Sequence, residues 1–585
     1  MKWLLFIIAL LTCLADPATG APGEAGIYGD TPGADAMVAI MEETVTTPMP
    51  DGVVLQATLI RPEVPGRYPA ILVRTPYGRG QHMTEARFWA SHGYAVVVQD
   101  ARGKFGSNGE YVPFLNEYDD GAATLDWITA REWSNGDVGM YGSSYLAFCQ
   151  LVLAASQHPA LKSIIPISGW IQDDGQIDRG GAHHIMLSIP WILHEESQTK
   201  RSIADVEFDE LFEYLPLIDA FASIGVESKI WTEEFDFSHL ERFHASEIAI
   251  PALHITGWYD FVHLAALSVY DGAKTGPAAA SQKLMVGPWF HDQFYTTYTE
   301  VGDDDFGPQS AMGLERLMKL ALEWFDLTLK DKGSTMTDWP DARVFVMGEN
   351  EWKDYGAWPP REIREQKLFM GSTGGANSSA GDGVLAVTPP TTPGHDSYLF
   401  DPNNPVPTYG GANFHFMLHL VGVKDQRKIE ERDDVLVYTS PPLDDNMEIA
   451  GPVSAVLYAS TEGRDTDFTA KLVEVRPDGY ARIIDEGILR VSYRNGTGER
   501  DLVEPGEVFR ITVDLGSTAI VIPAGNRVRL EVSSSNFPKY DRNPNTGEEA
   551  LKAHVLVPVK QRVFFGGEYP SHLVLPVVDN PRSSS

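Results

Sequence analysis

The chain has 585 residues, and its 81 Asp and Glu outnumber 46 Lys and Arg, for a formal net charge of −35. Such an acidic surface argues against nucleic acid and anionic membrane as partners. The length calls for two or three domains rather than one, and a hydrophobic content of 43% is enough for large cores.

The first twenty residues read as a signal peptide. Lys2 opens it, residues 3–14 form its apolar core, and Ala18-Thr19-Gly20 offers small residues for cleavage. The apolar run falls short of the roughly 20 residues that a membrane span needs. The expectation is export to the periplasm or the medium, with no membrane span in the mature chain. Cys13 leaves with the signal, so Cys149 stands alone and no intramolecular disulfide can form. Residues 21–40, rich in Gly, Ala and Pro, read as a loose tail.

An α/β domain is expected over 41–168 and 251–333. Strands at 45–47 and 53–60 flank the turn Pro50-Asp51-Gly52. The apolar run 68–73 ends in Arg74-Thr75-Pro76-Tyr77-Gly78. Strands at 94–98, 138–141 and 163–167 alternate with helical stretches at 85–91, 118–130 and 146–155. Unbroken apolar strands between helices indicate a parallel sheet covered on both faces. Residues 169–250 hold apolar and acidic runs at helical spacing and read as an inserted helical cap. The sheet resumes at 252–256 and 283–286, before a helix at 311–329. From 334 to 585 the pattern changes to short apolar runs separated by Gly, Pro, Asn and Asp, which predicts a β-sandwich.

Chemistry concentrates at three strand ends. Gly142-Ser143-Ser144-Tyr145-Leu146-Ala147 lies between a strand and a helix, the layout of a nucleophile elbow. Small Gly142, two residues before Ser144, favours Ser144 over Ser143, which has Tyr141 and Tyr145 at its flanks. A serine nucleophile needs a base, and the base needs an orienting acid. Asp260 follows the strand 252–256 in Gly257-Trp258-Tyr259-Asp260, and His291 follows 283–286 in Gly287-Pro288-Trp289-Phe290-His291. Alone, Asp260 reads as a helix cap and His291 as a loop histidine. Together they stand after three strands in the order Ser, Asp, His. Asp292 is the rival acid, but adjacent residues rarely face each other. The Tyr145 amide, at the start of the elbow helix, is a candidate oxyanion donor. Cys149 reads as core packing rather than a second nucleophile. His183-His184 and His194-Glu195-Glu196 lack partners at metal-ligand spacing.

These motifs resemble the α/β-hydrolase family that contains cocaine esterase, α-amino-acid ester hydrolases, glutaryl-cephalosporin acylases and Xaa-Pro dipeptidyl-peptidases. Its elbow, Gly-x-Ser-Tyr-x-Gly, matches Gly142, Ser144 and Tyr145, with Ala147 in place of the last Gly. Its Gly-Trp-Tyr-Asp and Gly-Pro-Trp-x-His motifs match at Asp260 and His291. Gly348-Glu349-Asn350-Glu351-Trp352, Asp467-Phe468 and Ser535-Asn536-Phe537-Pro538 extend the likeness over residues 40–575. The resemblance implies a jelly-roll C-terminal domain and a cofactor-free serine hydrolase acting on a small ester, amide or short peptide. It implies that the Tyr77 hydroxyl, in Arg74-Thr75-Pro76-Tyr77, completes the oxyanion hole, and that Trp170 and Trp258 line the acyl pocket. Amino-ester hydrolases and dipeptidyl-peptidases hold a substrate ammonium with carboxylates, a role open here to Asp173, Asp174 and Asp178. The residues after Asp260, Phe261-Val262-His263, include no acid, a departure that favours simple acyl esters. Dipeptidyl-peptidase or amino-ester hydrolase activity is the alternative within the class, and an inert fold that binds glycans is the alternative outside it. Activity is expected to titrate near neutrality, as His291 must be neutral to act as base.

Overall fold

The computed structural model describes residues 37–171, 178–196, 206–228, 231, 240–496 and 498–579. The signal segment 1–20, and with it Asp173 and Asp174, lie outside the described residues. No helix among those described is long and apolar enough to cross a membrane.

A ten-stranded sheet forms the α/β half. Its order is Ile40–Pro48, Val54–Pro62, Ala95–Asp100, Tyr68–Thr75, Ser134–Ser143, Leu161–Ile167, Ala252–Gly257, Gln282–Gly287, Ala342–Val346 and Glu351–Tyr355. The pairing is parallel from Ala95–Asp100 through Ala342–Val346 and antiparallel at both edges. Central strands such as Ala95–Asp100 and Ala252–Gly257 are buried at every residue, which is why they read as unbroken apolar runs. Gly139 in the elbow strand is a close-approach position. A Cβ there would lie 2.7 Å from Phe325 of the helix Gly313–Lys330.

The sheet continues past residue 333, where the sequence placed the start of the sandwich. Ala342–Val346 pairs in parallel with Gln282–Gly287, and Glu351–Tyr355 closes the edge. Short β runs look alike in either domain, and only pairing assigns them. The C-terminal half is an all-β domain whose strands, from Ile363–Gly371 to His572–Val578, form an eleven-stranded sheet. Its pairing is antiparallel except for the contact of Val384 with Thr439. One apolar core runs through both halves, joining Leu284, Val286 and Val344 to Leu368, Ile449 and Leu573.

In the cap, the described residues are mainly helical, with Ile185–Glu196, Phe208–Glu213 and Ala220–Ser223 packed in a core of their own. A minimal hairpin, Asp178–Arg179 with Ala182–His183, precedes them. It docks on the sandwich, where the Arg490 amide donates to the Gly180 carbonyl at 2.8 Å.

A buried polar network fastens the elbow helix from beneath. Glu117 opens the helix Glu117–Thr129 and takes an ion pair from Arg74 at 2.6 Å. It also accepts the Tyr145 hydroxyl at 2.9 Å and the Cys149 thiol at 3.4 Å. Burial pushes that thiol well above its usual range, so Cys149 stays protonated as a packing residue. Removing one member of a buried ion pair strands the other, at a cost of about 3–5 kcal/mol. Glu117→Ala should therefore lose about that much stability in denaturant unfolding, while Cys149→Ala should lose about 1–2 kcal/mol. Equal losses would mean that Arg74 finds another partner.

Candidate active site

Ser144 stands between the last strand residue, Ser143, and the first helical residue, Tyr145. Its backbone is at φ 58° and ψ −122°, a region that side-chain-bearing residues seldom occupy. Three backbone hydrogen bonds hold it there. The Ser144 amide donates to the Ile167 carbonyl at 2.9 Å, and its carbonyl accepts from Ala147 and Phe148. Gly142, at φ 142°, approaches Leu146 so closely that a Cβ would lie 2.5 Å from it. The Ser144 side chain is half-buried. The Tyr145 amide, first in the helix, has no intrahelical acceptor and points out of the helix N-terminus.

Strand order brings the other two groups alongside. Asp260 follows Ala252–Gly257, and His291 follows Gln282–Gly287, the next strand but one and the third from the elbow strand. His291 Nδ1 lies 2.9 and 3.0 Å from the two Asp260 carboxylate oxygens. Asp260 also accepts from the Val262 amide at 3.0 Å and from the Ser168 hydroxyl. Both partners are buried. Burial alone would raise the Asp260 pKa, but the His291 ring and the donated hydrogen bonds outweigh it and hold the carboxyl below its ordinary value. Burial likewise opposes the charge on His291, yet the Asp260 and Asp292 carboxylates push it up to about 9. The direction of this shift is away from neutrality, in favour of the charged ring.

Asp292 does not compete for the His291 ring nitrogen that Asp260 occupies. It takes a left-handed conformation at φ 66° and accepts from the Ser143 hydroxyl at 3.4 Å. The Tyr295 hydroxyl donates to the same Ser143 oxygen at 3.1 Å. The neighbour of Ser144 is therefore latched to the neighbour of His291, which seats the histidine loop against the elbow. Ser143 is engaged on both sides.

Tyr77 follows the strand Tyr68–Thr75, where its amide donates to the Thr75 hydroxyl at 3.0 Å. Its ring meets Tyr145 edge-on at 6.3 Å. Its hydroxyl accepts from Trp191 Nε1 at 3.3 Å, which leaves the hydroxyl proton for another acceptor. Burial, with the Glu195 carboxylate beside it, holds this hydroxyl well above its ordinary pKa, so it remains a donor.

Aromatic rings cluster around these groups. Phe114 stacks on Trp191 at 5.6 Å and meets Trp170 edge-on at 5.9 Å. Phe261 lies 4.5 Å from the His291 ring and 5.1 Å from Phe414, which comes from the C-terminal half. Trp258 is placed elsewhere. Its Nε1 donates to the Phe345 carbonyl at 2.8 Å and its ring packs on Trp358 at 5.6 Å. It is core between the two halves, because the Trp in Gly257-Trp258-Tyr259-Asp260 turns away from the Asp. Asp178 is bound to His183 at 2.8 Å in the hairpin that docks on the sandwich. Among the described residues, no group of three or more His, Cys, Asp or Glu could hold a metal.

Ser168, Trp191, Phe114 and Phe414 were not singled out by sequence. Ser168, buried at φ 50° just past Leu161–Ile167, reads in sequence as an ordinary Ser-Gly turn. Only the sheet order puts it between the elbow and Asp260.

Known proteins match the chain over nearly its whole length. The family model described as X-Pro dipeptidyl-peptidase (S15 family) matches residues 51–293, and that of the X-Pro dipeptidyl-peptidase C-terminal non-catalytic domain matches 334–574. The chain is 35% identical to cocaine esterase of Rhodococcus sp. (strain MB1 Bresler) over 569 residues, covering 91% of this chain and 98% of that one. An α-amino acid ester hydrolase structure superposes with a TM-score of 0.79 at 26% identity, covering 94% of this chain and 98% of its own. An aminopeptidase from a marine sediment Thaumarchaeota archaeon shares the fold, with a TM-score of 0.80 at 24% identity over 96% and 99% of the two chains. On the length and level of these matches, the chain belongs to the S15 family of serine hydrolases, together with cocaine esterase.

Proposed function

We propose that this protein hydrolyses esters of apolar acyl groups through an acyl-enzyme on Ser144. His291 takes the Ser144 proton as the hydroxyl attacks the substrate carbonyl, and Asp260 stabilises the imidazolium that forms. The Tyr145 amide and the Tyr77 hydroxyl hold the oxyanion of the tetrahedral intermediate. His291 then protonates the leaving alcohol, and a water activated by the same ring releases the acid. The chain's own groups supply each of these steps without a cofactor. Residues 1–20 support export of the chain to the periplasm or the medium.

The observation that carries the ester reading is the Phe261 ring, 4.5 Å from His291 and closed off by Phe414. An ammonium group entering there would lose water, for which the attraction of the ring faces is only a partial return, and a buried charge without a carboxylate partner is costly. Of the carboxylates beside these groups, Glu195 pairs with Lys104 at 2.7 Å, Asp260 pairs with His291, and Asp292 accepts from the Ser143 hydroxyl. Trp170, Phe114 and Trp191 form the matching apolar wall for the acyl group. Asp173 and Asp174 keep the amino-ester and dipeptidyl-peptidase alternative open to test.

Substrate class is tested by comparing kcat/KM for a nitrophenyl ester of an apolar acid with that of its α-amino counterpart and of an Ala-Pro anilide. The plain ester should be the best substrate. If the amino compound wins by more than about tenfold, roughly 1.4 kcal/mol, and Asp173→Asn or Asp174→Asn removes that gain, the peptidase reading replaces this one.

The nucleophile is tested by two substitutions. Ser144→Ala should abolish turnover with an unchanged melting temperature. Ser143→Ala loosens the latch to Asp292 and Tyr295, so activity should fall but stay within about a hundredfold. Labelling of Ser143 rather than Ser144 by a fluorophosphonate would reverse the assignment.

The sign of the pH dependence follows from His291. Its pKa is raised to about 9, so below that value the ring is mostly protonated and cannot accept the Ser144 proton. kcat/KM should rise with pH on a limb displaced from neutrality towards pH 9. Asp292→Asn removes one carboxylate that favours the imidazolium, and should move that limb to lower pH. A wild-type midpoint near the unperturbed value of about 6.5 would show that the ring is not held by these two carboxylates.

A further inference from the structure

The outer face of the C-terminal sheet carries a pocket, remote in character from the aromatic cluster. Strand Arg527–Ser533 alternates, so Val528 and Leu530 are buried in the core while Arg527 and Arg529 face the other side. Pairing sets Arg529 between Thr439 and Val473, and Arg527 beside Val475. Arg527, Arg529, Thr439 and Val475, with Val437 and Arg476, line a cavity of about 540 Å³. The turn glycines Gly479 and Gly525, at φ 86° each, border it with open space beside their Cα atoms.

The three guanidinium groups are unequal. Arg529 is committed, with Nη1 on Glu430 at 2.5 Å and Nε on the Thr439 hydroxyl at 2.8 Å. Arg476 has a longer contact with Asp304, 3.4 Å, and lies over the Tyr480 ring at 4.6 Å. Arg527 donates only Nη1, to the Ser440 carbonyl at 2.9 Å. Among the described residues it has no carboxylate partner, in a chain with an excess of 35 negative charges. Its Nε and Nη2 therefore remain as the two-pronged edge of a residue that lines the pocket, the geometry that grips two oxygens of one anion.

We propose that this pocket is a binding site for an oxyanion, a carboxylate or phosphate group carried by a small polar ligand, held in bidentate fashion by Arg527. The site is separate from Ser144 and independent of the proposed hydrolysis. The test titrates the full-length mature protein with inorganic phosphate and with succinate. Chloride at matched ionic strength serves as control, with calorimetry and thermal shift as readouts. Saturable binding of either anion is expected, and whichever binds more tightly identifies the group as phosphoryl or carboxylate. Arg527→Gln should abolish it. Arg527→Lys, which keeps the charge and loses the fork, should weaken it by about tenfold or more. Both variants should retain wild-type ester hydrolysis, which also shows that they are folded. No saturable binding of either anion up to tens of millimolar, or undiminished binding in Arg527→Gln, overturns the proposal.

Discussion

The site depends on one buried ion pair. His291 and Asp260 meet away from water, where neither charge would persist alone. Their mutual support leaves the ring protonated more readily than a free histidine and the carboxyl less readily than a free aspartate. Everything around the pair serves its geometry. Ser168 and the Val262 amide occupy the carboxylate's remaining lone pairs, and Phe261 lies over the ring. A carboxylate so held cannot rotate, and so the ring nitrogen that faces it is determined.

The elbow is built with equal economy. Strain at Ser144 is held by hydrogen bonds on both sides of it, and the helix that follows is fastened by Tyr145 and Cys149 onto Glu117. Tyr145 thus works at both ends. Its hydroxyl anchors the helix in a buried network, while its amide stays at the helix N-terminus. The latch from Ser143 to Asp292 and Tyr295 ties this rigid element to the histidine loop.

The fold class was legible because buried parallel strands leave continuous apolar runs, and because the composition changes sharply after the helix Gly313–Lys330. The strand-end residues Ser144, Asp260 and His291 could be picked out because chemistry in such sheets gathers where strands stop, whereas Tyr77 was picked out only through the resemblance of Arg74-Thr75-Pro76-Tyr77. Other features were not legible. Trp258 and Asp260 are two residues apart and face different cores, which depends on how one turn is wound. Ser168 and Phe414 reach the site from a neighbouring strand and from the other half of the chain. Their local sequences carry no trace of that, since a contact between residues far apart in the chain is a property of the packed sheet. The strands Ala342–Val346 and Glu351–Tyr355 were assigned to the wrong sheet for the same reason.

Those two strands alter what the halves of the molecule mean to each other. The strand that leads to His291 is flanked on one side by Ala252–Gly257 and on the other by Ala342–Val346. A gene cut at residue 333, where the composition changes, would expose that strand as a bare apolar edge, open to pairing with other chains. The C-terminal half is thus no detachable appendage. It supplies the border of the parallel sheet and, through Phe414, a ring that packs on Phe261. Any exchange of C-terminal domains between relatives has to place its junction beyond Tyr355, and has to carry a suitable ring to meet Phe261.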